Sequence, residues 1–282
     1  MNGYLRMLSH AGINPVEYKF TLAKYKNLED KKLKHYEYDE IHSEYNLNSL
    51  LDKKIKLTFN EEIRCVDCGR LTKKSFNQGS CYSCFLNLAS NDMCILKPET
   101  CHYHSGTCRE PGWGKENCFK KHTLYLANTS GVKVGITKEN PITKRWVDQG
   151  AMFAIPVMEF ENRRDSGLME IEFGKFITDK TSWQGMISKD SDEKDLFKIR
   201  DSLLEKVNPE KLNIPFKMIE NPEQIKIDYP IKSYPKKKVT LKPDKLHPIE
   251  DTLIGVKGQY LLFKNGVINI RSYGGYYVTI DV

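Results

Sequence analysis

The chain has 282 residues, about twice the length of an ordinary domain, and its 39% hydrophobic and 11% aromatic content excludes a disordered chain. Lys plus Arg exceed Asp plus Glu by 44 to 37, a formal charge of +7 that suits polyanionic partners without naming one. No run of about 18 apolar residues is present and Met1 to Pro15 lacks a signal-like apolar stretch, so a cytoplasmic protein with no membrane span is expected.

In chain order, residues 1–60 predict a β-rich segment, with alternating runs at Tyr18 to Leu22 and Ile55 to Phe59 and a loop at Asn27 to Leu33. Residues 61–121 hold all eight cysteines among scattered Gly and Pro, so metal is expected to replace a hydrophobic core there. Residues 122–207 predict a small α/β domain. Its strands are Thr123 to Asn128, Lys133 to Thr137 and Ala154 to Phe160, the first two paired across Thr129 to Val132. Helices are expected from Asn140-Pro141, over Ser166 to Thr178 and over Lys194 to Val207. Residues 208–282 open with a proline-containing linker and end in strands Gln259 to Phe263, Val267 to Ile270 and Tyr276 to Ile280, with Lys264-Asn265-Gly266 as a hairpin turn. The fold class expected is α+β. The lysine runs Lys31 to Lys34 and Lys236 to Lys238 read as solvated faces or linkers.

Eight thiols in a reducing compartment point to metal ligation rather than disulfides. Cys65-Val66-Asp67-Cys68 and Cys81-Tyr82-Ser83-Cys84 have two residues within each pair and twelve between the pairs, the spacing of a zinc ribbon. A two-residue gap lets both thiolates of a knuckle reach one tetrahedral ion, and Gly69 permits the tight turn. Cys94, Cys101, Cys108 and Cys118 follow at gaps of six, six and nine residues and predict a second four-cysteine zinc site, with His102, His104 or His122 as alternatives to one thiolate. Both ions are read as structural, because no His-Glu-x-x-His pattern supplies a general base beside an open metal.

Leu124-Tyr125-Leu126, Lys133-Val134-Gly135-Ile136-Thr137, Arg145 and Glu170 form an ordered set that resembles the GIY-YIG nuclease superfamily, in its divergent branch with a Lys-Ile-Gly second motif. The resemblance implies that Tyr125 helps to activate a water, Arg145 steadies the scissile phosphate, and Glu170 holds Mg2+ or Mn2+, with Glu172 as second choice; the charge of Lys133 suits either lowering the Tyr125 pKa or contacting phosphate. Phosphodiester hydrolysis needs these parts: an activated water, positive charge on the phosphorane and a carboxylate for the metal. The set departs from the family where Thr123-Leu124 stand before Tyr125 in place of glycine and Lys133 stands in place of tyrosine. A metal-dependent nuclease and a non-catalytic zinc-dependent DNA-, RNA- or nucleoprotein-binding protein therefore both stay open. Trp146 and Trp183 are expected in the core. The chain is also similar, nearly end to end, to an uncharacterised bacterial family with a zinc-binding region followed by segments like Val132 to Thr137, Arg145-Trp146-Val147-Asp148-Gln149-Gly150-Ala151 and Gly255-Val256-Lys257-Gly258-Gln259-Tyr260.

Overall fold

Lys54–Ile63 alternates apolar and polar residues, burying Ile55 and Leu57 on one face, and it runs through the middle of an eight-stranded antiparallel sheet. In the computed structural model, which describes residues 1–138, 140–177, 182–189 and 191–282, the strand order is Gly266–Asn269, Tyr260–Phe263, Ile249–Lys257, Lys54–Ile63, Tyr276–Asp281, Asn2–Leu5, Thr21–Tyr25, Tyr38–His42. The first and last strands pair as Asn2↔Thr279, Gly3↔Val278 and Tyr4↔Tyr277, and the Met1 amine donates to the Ile280 carbonyl at 2.7 Å. Phe263↔Gly266 closes the hairpin expected at Lys264-Asn265-Gly266, and Asp251 accepts from the Asn265 N–H at 2.9 Å. The loop after Tyr25 is where it was expected. Helix α1 (Tyr82–Asn87) completes the second cysteine knuckle of this sheet's unit, which comprises Met1–Leu86 and Asp228–Val282.

The second unit, Asn87–Ile227, is built on a sheet ordered Lys217–Met218, Phe153–Phe160, His122–Asn128, Val132–Thr137, with Ile225–Lys226 also on Phe153–Phe160. Its helices are α2 (Pro111–Cys118), α3 (Thr143–Asp148), α4 (Arg163–Gly174), α5 (Trp183–Met186) and α6 (Leu196–Val207). Leu124, Leu126, Phe160, Met169 and Phe173 form its core together with Trp146, as expected of that tryptophan; Trp183 is only half-buried. Helix α4 begins at Arg163 rather than Ser166, because the Asn162 side chain accepts from the Asp165 N–H at 2.9 Å and caps it. The expected end at Thr178 lies outside the described residues.

The architecture is α+β. The four segments expected from the sequence are grouped differently. Asn2–Leu5, Thr21–Tyr25, Tyr38–His42 and Lys54–Ile63 share one sheet with the C-terminal strands, Ser9–Ala11 and Glu17–Lys19 pair by themselves, residues 208–227 go with the α/β unit, and the two cysteine sets fall in different units. Antiparallel pairing between residues more than two hundred positions apart leaves no local mark in a sequence. Among the described residues no helix is long and apolar enough to cross a membrane.

Candidate functional site

The first cysteine set is held by two short turns that follow the central strand Lys54–Ile63. Arg64 bridges to Leu71 and Phe76 to Ser80, and Gly69 takes φ +73° while its N–H donates to the Cys65 carbonyl at 2.9 Å. A side chain at Gly69 would strike the Tyr25 ring and Tyr36, both at 2.7 Å, so glycine is required by conformation and by space. Tyr25 donates its hydroxyl to the Cys65 carbonyl at 2.9 Å, and the buried Arg64 donates to the Gly69 carbonyl at 3.0 Å. These contacts fix the knuckle backbone, and the Sγ atoms of Cys65, Cys68, Cys81 and Cys84 all lie within 4.8 Å of one another, buried.

Zinc–thiolate bonds of ~2.3 Å place tetrahedral sulfurs about 3.8 Å apart, and the Sγ atoms of Cys68 and Cys81 are 3.9 Å apart. The group could hold a zinc ion. Its electrostatics agree. The Cys81 N–H donates to Cys65 Sγ at 3.1 Å and Arg70 Nε donates to Cys68 Sγ at 3.4 Å, two contacts that favour thiolate. A hydrogen bond from Cys65, and then Arg70, pull the Cys68 thiol down to about 4, while that same hydrogen bond and burial push Cys65 up. Burial, followed by the hydrogen bond with Cys68, pushes Cys84 up to about 12. Four packed thiols cannot all ionise against each other's charge; a divalent cation removes that conflict.

The second set is arranged less tightly. Cys94 sits in the 3₁₀ turn Met93–Ile95, Cys118 ends α2, and with Cys101 and Cys108 they line one cavity of about 20 Å³. The four expected thiols share this cavity without the mutual closeness of the first set; the donors within 4.8 Å of one another here are Asp92, Cys94 and His102. Asp92 is already engaged: it ion-pairs with Arg109 at 2.8 Å, accepts from the Cys94 N–H at 3.4 Å and faces His102 Nε2 at 3.4 Å. His102 Nδ1 pairs with Thr107 at 2.8 Å. His104 packs edge-on against Tyr103 and Phe119, and His122 opens strand His122–Asn128 with Nδ1 on the Lys120 carbonyl at 2.7 Å. Burial raises Cys94 to about 11 and also raises Cys118.

In the same unit Arg145 reaches the Tyr125 hydroxyl, and Glu170 lies near enough for its charge to act there. Tyr125 pairs across the hairpin with Gly135, whose missing side chain gives the ring its place: a Cβ there would lie 2.5 Å from the Tyr125 oxygen. The Tyr125 hydroxyl accepts from Gln149 Nε2 and packs edge-on to Trp146 with centroids 6.0 Å apart. Burial raises its pKa, opposed by the Arg145 charge and reinforced by that of Glu170. Lys133 pairs with Ala127, two positions along, and so shares the sheet face of Tyr125. Glu172 points elsewhere, in an ion pair with Lys175 at 2.6 Å. Tyr125 itself is 1% exposed.

Sequence reasoning missed Gln149, Arg163 and Asp92. Gln149 lies one helical turn after Arg145, and Arg163 lies two turns before Glu170, so helical spacing around the chosen residues was the available signal. No curated protein and no solved structure matches the chain. A family model does, over residues 52–278, which takes in the central strands of both sheets and every cysteine: the chain belongs to the family described as "Protein of unknown function (DUF2797)".

Proposed function

We propose that the chain is a nucleic-acid-binding protein stabilised by two zinc ions, one on Cys65, Cys68, Cys81 and Cys84 and one in the cavity lined by Cys94, Cys101, Cys108 and Cys118, with the second unit a GIY-YIG-like domain that has kept its fold without its chemistry. One observation carries the choice against catalysis: the Tyr125 hydroxyl is enclosed, held by Gln149 and pushed by burial away from deprotonation, so it meets no water to activate. The binding surface is the zinc ribbon. Arg70, Lys73 and Lys74 are exposed there, beside Tyr82 at 58% exposure and the ring stack of Phe76 on Phe85 at 5.8 Å. Cations for phosphates beside rings for bases suit a single strand of RNA or DNA.

Fluorescence anisotropy with labelled single-stranded oligonucleotides tests this. Affinity should fall with salt at a log–log slope of about −2, as three phosphate contacts give at roughly −0.7 each. Tyr82→Ala should weaken binding by at least about fivefold, the lower end of a base-stacking contribution. No binding at low salt sinks the reading.

A second reading is favoured by the reach of Arg145 to the Tyr125 hydroxyl and of the Glu170 charge to the same group. Here the domain is a phosphodiesterase in which Tyr125, Lys133, Arg145 and Glu170 act with Mg2+ or Mn2+ at Glu170, once substrate displaces Gln149. Cleavage of an oligonucleotide in Mg2+ or Mn2+ that Tyr125→Phe and Glu170→Ala abolish would decide for it.

A further inference from the structure

Helix α4 presents one stripe of three residues to two different neighbours. Arg163, Gly167 and Glu170 recur at i, i+4 and i+7 and therefore share a face. Arg163 Nη2 donates to the Ile95 carbonyl at 2.7 Å, in the turn that carries Cys94. At Gly167 the helix backbone lies directly on the turn Pro98–Thr100 that leads into Cys101: an added Cβ would come within 2.4 Å of the Pro98 Cβ. Glu170, two turns on from Arg163, is near enough to Tyr125 for its charge to act on the hydroxyl. Burial depresses the Arg163 pKa, and the charges of Cys118 and then Glu170 oppose it. The guanidinium is thus tied to the turn that carries Cys94 and lies within electrostatic reach of Cys118 and Glu170. Its Nε is buried and has no hydrogen-bond acceptor among the described residues.

A divalent ion held by four thiolates carries a net charge of −2, which a buried site must offset with N–H donors or cations. The first cysteine set has Arg70 for that purpose. We propose that Arg163 is the matching charge partner of a metal in the cavity of Cys94, Cys101, Cys108 and Cys118, and that through it this metal sets α4 and the position of Glu170 beside Tyr125. The proposal rests on the second-zinc reading above. Asp92 then acts behind the ligands, orienting His102 and the Cys94 backbone through contacts it already makes. Arg163 is a positioning residue: it touches neither substrate nor reacting atoms.

The test is metal content and chelator-driven zinc release from the full chain, for the wild type, Arg163→Met and Arg163→Lys, with hydrogen exchange of α4 followed in parallel. The wild type should hold two zinc ions per chain. Arg163→Met should release one of them about 10- to 100-fold faster, the range for losing a contact behind a metal ligand, and leave the other unchanged. Its α4 amides, residues 163–174, should exchange faster. Arg163→Lys, which keeps the charge, should restore most of the slow release. One zinc per chain overturns the second-site reading itself. Two zinc ions with unaltered release in Arg163→Met overturn only the link, and equal acceleration in both variants overturns the charge role in favour of packing.

Discussion

Cys65, Cys68, Cys81 and Cys84 come from two short turns and bring their sulfurs within 4.8 Å of one another, whereas Cys94, Cys101, Cys108 and Cys118 come from separate turns and a helix end and stand around a cavity. The first set is closed mainly by its two turns: Gly69 and Arg64 fix the knuckle backbone from within, and Tyr25 on strand Thr21–Tyr25 adds one hydrogen bond to it. The second is closed by tertiary packing, through the contact of Gly167 with Pro98 and the reach of Arg163 to Ile95. A locally built site should respond to damage locally. A site assembled by packing should transmit damage to the helix that assembles it.

The largest effect expected from breaking this comparison is at Cys68. Structural zinc contributes roughly 10 kcal/mol or more of apparent folding energy in small modules. Cys68→Ser should lower the zinc content by one per chain and unfold residues 63–86, read as loss of amide protection there, with residues 122–174 still protected. Cys118→Ser should do the reverse, exposing α4 and sparing the ribbon. Ribbon protection that survives in metal-free Cys68→Ser would show that the ion does not hold this segment.

Next in size is a titration confined to the second unit. His122 is fully buried, and desolvation lowers its pKa to about 4 from an unfolded value near 6.5. With the folded pKa depressed, the unfolded chain binds the proton first as pH falls. The stability contributed by neutral His122 is complete above about pH 6.5, declines between about 6.5 and 4, and is gone below that. The full loss is about 3 kcal/mol by linkage. The His122 ring signals in a proton–nitrogen spectrum should stay those of a neutral imidazole at pH 5.5. A midpoint near 6.5 would contradict the burial.

A smaller effect, of about 1–3 kcal/mol for overpacking, is expected from Gly135→Ala, because the new methyl group meets the Tyr125 oxygen at 2.5 Å. Thermal denaturation should show the loss, and Gly135→Ala combined with Tyr125→Leu should recover much of it. Without recovery, the crowding lies with another neighbour.

This contrast also marks what could be read from the residues alone. The paired two-residue gaps at Cys65 and Cys81 encode the first set directly, and the Ser130-Gly131 turn encodes the hairpin that sets Tyr125 opposite Gly135. The second set was legible as four cysteines but not as a geometry, since Asp92 reaches Cys94 and His102 through a 3₁₀ turn that irregular gaps do not reveal. Strand Ile249–Lys257 escaped notice because a register shift between Leu253 and Gly255 breaks its alternation. Gln149 and Arg163 escaped because their roles come from what packs against them, and residue identity does not carry that information.

The smallest effect sharpens the comparison most. Arg70 and Arg163 are both arginines beside cysteines, yet Arg70 is exposed while Arg163 Nε is buried. Water and salt screen an exposed guanidinium, so its contact with Cys68 Sγ at 3.4 Å belongs with surface ion pairs, worth up to ~1 kcal/mol. Arg70→Met should therefore speed zinc release from the first site by no more than about fivefold, the equivalent of that energy. The change should shrink further in 0.5 M salt, where the Debye length is only a few ångströms. Arg163→Met should show a larger and nearly salt-independent change, because no ions reach the buried guanidinium to screen it. Equal, salt-sensitive responses at the two arginines would mean that the second cavity is as open to solvent as the ribbon surface, and the distinction between a locally closed and a packing-closed site would fall.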